Sequence, residues 1–181
     1  LMDDAGDTPL YLENVKGSIL PCITNICSSR DLVALALECE PSEIMSKIFG
    51  AINKLSKPKT IQASGYKEIE ASLDKLPILT HQTTDGGAYI ASAMAVAHDN
   101  EYGRNISFHR AMKIDYNHMV MRILDRHLKE YMDRGLKEFA FCNGVSVPVL
   151  LGSATSFEIE NDEMAVANAL ADSPVIEIEG H

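Results

Sequence analysis

Cysteine is scarce in this sequence, with only four in 181 residues, at positions 22, 27, 39 and 142. No two form a CxxC pair, and the chain is too large and too cysteine-poor for a disulfide scaffold, so free thiols in a reducing cytoplasm are expected. Basic charge is also in short supply. Sixteen Lys and Arg stand against 26 Asp and Glu, leaving a net charge of −10 and a pI near 5.0. That excludes nonspecific binding to nucleic acid or to an anionic membrane surface, both of which need a net basic face. No apolar run is long enough to span a bilayer, and no signal peptide opens the chain. The sequence has no GxGxxG and no GK[ST], so Rossmann and P-loop readings lack their residues. It has no internal repeat and no low-complexity tract. Position 1 is Leu rather than an initiator, and the last residues, Gly180-His181, follow a strand-like run. Both ends are therefore expected to be cuts in a longer polypeptide.

What is present is a chain able to bury a core, with 46% hydrophobic and 23% charged residues. Residues 10–13 and 18–26 read as short strands, the second interrupted by Pro21. Ser29 is placed to cap a helix over 31–39, and Pro41-Ser42-Glu43 opens a second helix to about Lys54. Lys54 to Lys59 reads as a connector, 68–73 as a short helix, and 76–80 as extended. Thr83 to Gly87 is a turn in which Asp85 bonds back to the backbone and the glycines permit positive φ or close approach. The amides of Asp85-Gly86-Gly87 could cradle a phosphate or a flavin edge, or this is a plain turn. Segments 88–98 and 104–115 suggest an antiparallel hairpin across Asp99–Gly103. Residues 119–124 read as a strand, and Asp125 as the cap of a helix over 126–134 closed by Gly135. A strand at 139–141, a short helix at 148–154, a helix from 163 to about 171 capped by Asp162, and a strand at 175–179 complete the series. Meandering strands with interspersed short helices indicate an α+β fold with a small antiparallel sheet or barrel.

The densest chemistry lies between Arg104 and His127. Along 104–115, Ile106, Phe108, Met112 and Ile114 alternate with Ser107, His109, Ala111 and Lys113. Arg110 falls on the apolar side. A guanidinium keeps its charge, so if buried there it needs an anionic partner: a bound carboxylate or phosphate, or a structural ion pair. Strict alternation also sets Asn105 and Arg110 on opposite faces, and both can serve one ligand only if a bulge intervenes or the ligand wraps the strand end. An amide, an imidazole and a carboxylate at Asn105, His127 and Glu163 would suit a hard to borderline divalent ion. Taken singly, each has an ordinary structural reading. His109 and His118 could work as acid–base groups, but no Ser or Cys nucleophile motif flanks them.

The collinear segments Tyr11-Leu-Glu-Asn-Val-Lys-Gly17, Leu76-Pro-Ile-Leu-Thr80, Asp85-Gly-Gly-Ala-Tyr-Ile90, Asn105-Ile-Ser-Phe-His-Arg110, Arg126-His127 and Asp162-Glu-Met-Ala-Val-Ala-Asn168 resemble the UbiD family of decarboxylases, with the Arg-His-Leu form at 126–128 nearest its archaeal members. The resemblance implies a small N-terminal α/β segment, residues 1–60, followed by a split β-barrel flavin-binding domain over 61–181, with a C-terminal domain absent from this chain. It implies prenylated FMN as cofactor, its phosphate bridged to the protein by a divalent metal, usually Mn2+, and by K+. Asn105, His127 and Glu163 match the metal ligands. Phe108, His109 and Arg110 match one cofactor-contacting triplet, and Arg122, Ile123 and Leu124 a second. Ser153 and Thr155 fall near the potassium-binding segment. Arg110 matches the catalytic arginine that holds the substrate carboxylate. The implied reaction is non-oxidative loss of carbon dioxide from an α,β-unsaturated or aromatic acid, with isoprenoid or quinone precursors as candidates. A flavin prenyltransferase would supply the cofactor, and the full-length protein would be a homo-oligomer. The family's acidic pair lies in a Glu-Gly-Pro-type motif, which this sequence lacks, so the chain alone is expected not to turn over. Two other readings are a flavin- or metal-binding module without decarboxylase chemistry and a flavin oxidoreductase on the same barrel.

Overall fold

The computed structural model describes residues 6–61, 68–69, 72–156, 158–171 and 174–178. Strands β1 (Leu10–Leu12) and β2 (Cys22–Thr24) pair antiparallel, with Tyr11 opposite Ile23. The second strand is shorter than the run of apolar residues suggests: pairing begins only after Pro21, which has no N–H to give. Helix α1 (Arg30–Ala36) starts as expected, the Ser29 hydroxyl accepting from the Leu32 N–H at 3.2 Å. Helix α2 (Ile44–Asn53) follows. Lys59, expected to end a connector, instead opens β3 (Lys59–Ile61), which pairs in parallel with the last described strand, β10 (Ile176–Ile178). The short helix expected over 68–73 falls partly outside the described residues. A 3-10 turn, Leu73–Lys75, starts at its last residue, capped by Ser72. Among the glycines of the 83–87 turn, neither takes positive φ; a Cβ on Gly87 would lie 3.3 Å from Met112, so close approach explains it. Asp85 does bond back, accepting the Gln82 N–H at 2.9 Å.

The expected hairpin exists with shifted strands. β5 (Ala93–Asp99) pairs with β6 (Gly103–Phe108), with Gly103 taking the left-handed φ of 82° that the turn requires. β4 (Tyr89–Ile90) pairs elsewhere, with β7 (Ala111–Lys113), which also pairs with β8 (Met119–Met121). The segment 104–115 is therefore two strands rather than one. The chain leaves one sheet at His109-Arg110 and joins another. Helix α3 (His127–Asp133) ends at Gly135, φ 107°, as expected, but its cap residue is Arg126, not Asp125, and no side chain caps it. β9 (Ala140–Asn143) adds to β5, giving the order β6-β5-β9. Helices α4 (Val147–Ser153) and α5 (Glu163–Leu170) complete the series, α5 capped by the Asp162 carboxylate.

The described strands thus form four small sheets of two or three strands, and among the described residues none closes into a barrel. The core is built around α5 and β5. Val166 and Leu170 pack with Ala34, Leu37, Ile44 and Ala51 of the N-terminal helices. Ala167 packs with Met94, Ile106 and Val149. On the other face of β5, Ala95 and Ala97 meet Leu128 and Tyr131 of α3. Small residues along β5 let helices approach both its faces. Among the described residues, no helix is long and apolar enough to cross a membrane.

Candidate functional site

β6 is an edge strand, so the N–H groups on its outer side need partners. One is taken by a carboxylate: Ile106 N–H donates to Glu163 Oε2 at 2.9 Å. The Asn105 amide donates from Nδ2 to the other oxygen, Oε1, at 3.0 Å. Asn105 is 3% exposed and Glu163 2%. Burial raises the Glu163 carboxyl above its ordinary range, and the two hydrogen bonds from β6 oppose that rise. Beside them, Arg104 makes a bidentate pair with Asp162, Nε to Oδ1 at 3.0 Å and Nη2 to Oδ2 at 2.6 Å.

Asn105, Ser107 and His109 share one face of β6 and its continuation, the face that Ala95 and Ala97 present on β5. Ser107 Oγ lies 3.3 Å from Asn105 Oδ1 and 3.0 Å from His109 Nε2. Burial depresses the His109 imidazole below its usual range, opposed by the Arg122 backbone, so the neutral ring is favoured.

These groups line a cleft of about 920 Å3. Asn105, His127 and Glu163, expected from three separate segments, all contribute to its wall. Among the described residues the His127 ring makes no hydrogen bond, and it sits at the first position of α3. Phe108, 40% exposed, and Leu124 give the cleft an apolar shelf. Arg110, Arg122 and Arg126 line it too, and among the described residues none of the three is in a salt bridge. Arg110 is not buried as its place in the alternation suggests. Because the chain breaks between β6 and β7, its guanidinium reaches the same cleft as Asn105, resting 5.0 Å from the Tyr89 ring centroid. Ser153 and Thr155 lie on a further wall, where their hydroxyls donate to backbone carbonyls at the end of α4. Ile123 does not line the cleft; its side chain packs against the Ala95, Leu128 and Tyr131 core. Asp85 to Gly87, considered as a phosphate cradle, also lie outside the cleft lining.

The donor set fits a divalent ion of the borderline kind: a buried carboxylate, an imidazole and a carboxamide oxygen. Among the described residues no three His, Cys, Asp or Glu side chains converge. The amide is therefore essential to any such site. The unpaired arginines turn one concavity of an acidic chain locally basic, which suits an anionic ligand. Ser107, Arg126 and the Arg104–Asp162 pair were not singled out as site residues from sequence. The available signal was adjacency, since each member of the ion pair precedes a residue of the Asn105–Glu163 pair.

Comparison with known proteins agrees in order and extent. Residues 53–180 match the 3-octaprenyl-4-hydroxybenzoate carboxy-lyase Rift-related domain, and residues 1–52 match the N-terminal domain of the same carboxy-lyase. An anhydromevalonate phosphate decarboxylase from Methanothermobacter thermautotrophicus is 37% identical over 88% of this chain and 39% of its own length. The anhydromevalonate phosphate decarboxylase of Methanocaldococcus jannaschii is 30% identical over 90% of this chain and 40% of its own. The structure of an evolved dimeric form of the UbiD-class enzyme HmfF from Pelotomaculum thermopropionicum, in complex with prFMN, superposes with a TM-score of 0.89 at 29% identity, covering 99% of this chain and 45% of that one. The chain spans about two fifths of the length of the curated relatives it matches. Family models that together match residues 1–180, and a relative 37% identical over 88% of this chain, make it a member of the UbiD family of carboxy-lyases.

Proposed function

We propose that this chain is the cofactor-holding part of a prenylated-FMN-dependent decarboxylase acting on an α,β-unsaturated or aromatic carboxylic acid. The observation that carries the reading is the cleft itself, where Asn105, His127 and Glu163 share a wall with three arginines that have no salt-bridge partner among the described residues. In this reading Asn105, His127 and Glu163 hold Mn2+ or another divalent ion, and the segment of Ser153 and Thr155 holds K+. Prenylated FMN, when bound, supplies the electron sink for loss of carbon dioxide. Phe108 and Leu124 offer the apolar surface against which a ring can lie. His109, Arg122 and the Ile123 backbone complete the contacts. Arg110 orients the substrate carboxylate by charge-assisted hydrogen bonds, and its exposure leaves it free to do so.

The curated relatives favour a small unsaturated acid, and the basic wall is compatible with a phosphate on it. The division into 1–60 and 61–181, the split barrel, a cytoplasmic location, a homo-oligomer and supply of cofactor by a flavin prenyltransferase belong to the same reading. So does inactivity of this stretch alone, without an acidic pair from elsewhere.

The test is co-expression of the complete polypeptide with a flavin prenyltransferase, followed by absorbance and mass analysis of the released cofactor. Prenylated FMN is the expected product; ordinary FMN alone, or no flavin, removes the reading. In that protein Arg110→Ala should abolish decarboxylation while far-UV circular dichroism stays unchanged. Retained turnover would remove Arg110 from its role.

A further inference from the structure

Asn105 and Glu163 are 58 residues apart in sequence, and their hydrogen bond is the contact between them in this structure. That contact uses the nitrogen end of the amide. A cation is gripped by the oxygen end, so turning that oxygen toward an ion shared with Glu163 gives up the Asn105–Glu163 hydrogen bond. When that bond is given up, the Ile106 N–H donation to Glu163 Oε2 still runs through a carboxylate that the ion itself would draw on, so a tie outside the ion's ligands is needed to keep β6 and the start of α5 in register.

The residue before each of them is placed to do it. Arg104 and Asp162 form a two-pronged pair across the same gap, each carboxylate oxygen accepting from a different guanidinium nitrogen. Asp162 Oδ1 also accepts the Met164 N–H at 2.9 Å, which fixes the first turn of α5 and therefore the direction in which Glu163 leaves the helix. Both partners are only part-exposed, at 21% and 31% of their side-chain surface, and neither contributes to the cleft wall.

We propose that the Arg104–Asp162 pair is a positioning clamp that sets the separation of Asn105 from Glu163 for ion binding, independently of whether those two residues bond to each other. This rests on the reading of the cleft as an ion and flavin-phosphate site. Arg104 and Asp162 are positioning residues; neither touches the ion or substrate.

The sign of one measurement separates a clamp from a bystander charge. Removing a positive charge beside a cation site strengthens cation binding by Coulomb's law alone. Loss of a clamp weakens it. Mn2+ affinity is read from the free-ion electron paramagnetic resonance signal in titrations of the complete polypeptide, with circular dichroism and Tm as controls for folding. Arg104→Gln should weaken Mn2+ binding by about 10- to 100-fold, the range seen when groups supporting metal ligands are lost. Equal or tighter binding by the folded variant overturns the proposal. Arg104→Lys keeps the charge but cannot make the planar two-pronged contact, and should also bind more weakly. If Arg104→Gln fails to fold, wild-type affinity in Arg104→Lys overturns the proposal instead. A wild-type protein that binds no Mn2+ removes the reading of the cleft, and the clamp with it, before any variant is compared.

Discussion

The β1–β2 hairpin and the β5–β6 hairpin are both antiparallel and both joined to helices, yet they are built differently. In the first, Tyr11 and Ile23 face each other across the strands at 63% and 60% exposure, and no strand residue is buried. In the second, Ala93, Met94, Ala95, Ala97 and Ile106 are all at most 2% exposed, with helices packed on either side. Asn105 sits in the second. A side chain proposed to hold an ion gains precision from immobile neighbours, and of the two hairpins β5–β6 has them.

Breaking this contrast is direct. Ile106→Ala removes a fully enclosed side chain between β6 and α5 and should cost about 2–5 kcal/mol in urea denaturation. Ile23→Ala should change stability by no more than about 0.5 kcal/mol. Comparable losses at the two positions would mean that the exposed hairpin is as tightly held as the buried one. Next in size is Gly152→Ala. A Cβ there would stand 2.8 Å from the Glu163 carbonyl oxygen and 2.9 Å from the Ala167 Cβ, so α4 and α5 would have to part. A loss of about 1–3 kcal/mol is expected. Unchanged stability would show that α5 can yield without cost.

Tyr131→Phe should act in the opposite direction. The Tyr131 side chain is fully buried and its hydroxyl has no hydrogen-bond partner among the described residues, with burial pushing its pKa up to about 12. Deleting the oxygen should stabilise by up to about 1–2 kcal/mol, measured as a rise in denaturation midpoint. A fall would reveal a partner for that hydroxyl. The smallest effect concerns Asp99, at the end of β5. Hydrogen bonding to Arg134 and to the Tyr102 and Glu101 amides lowers its pKa from 3.8 to about 2. A depressed folded-state value means that its contribution is complete above pH ~4 and is lost as pH falls toward 2. Arg134→Met should return the Asp99 carboxyl resonance midpoint toward 3.8 in an NMR titration. No movement would remove Arg134 as the cause.

Much of this was legible along the chain. Ser29 and Asp162 announce helix starts because a capping oxygen acts within two or three residues of itself. Gly103 and Gly135 announce turns because their φ is a local need. Asn105, His127 and Glu163 were named together through the family resemblance, their long spacing alone being a weak signal, and they do line one cleft. The break at His109-Arg110 was not legible. Alternation continues across it, and only the choice of partners, β5 before the break and β4 with β8 after it, shows that two sheets share the segment. Asp125 looked like a cap by type, but the helix begins two residues later.

By itself the sequence determined which groups this protein can bring to chemistry, and where its helices start and its turns fall, since these depend on neighbours a few bonds away. Only the tertiary structure decided that Arg110 opens into the cleft rather than the core, that Ile123 turns away from it, and that Arg104 meets Asp162 across 58 residues. Those outcomes depend on which strand edges and helix ends are packed together, and spacing along the chain carries no record of that.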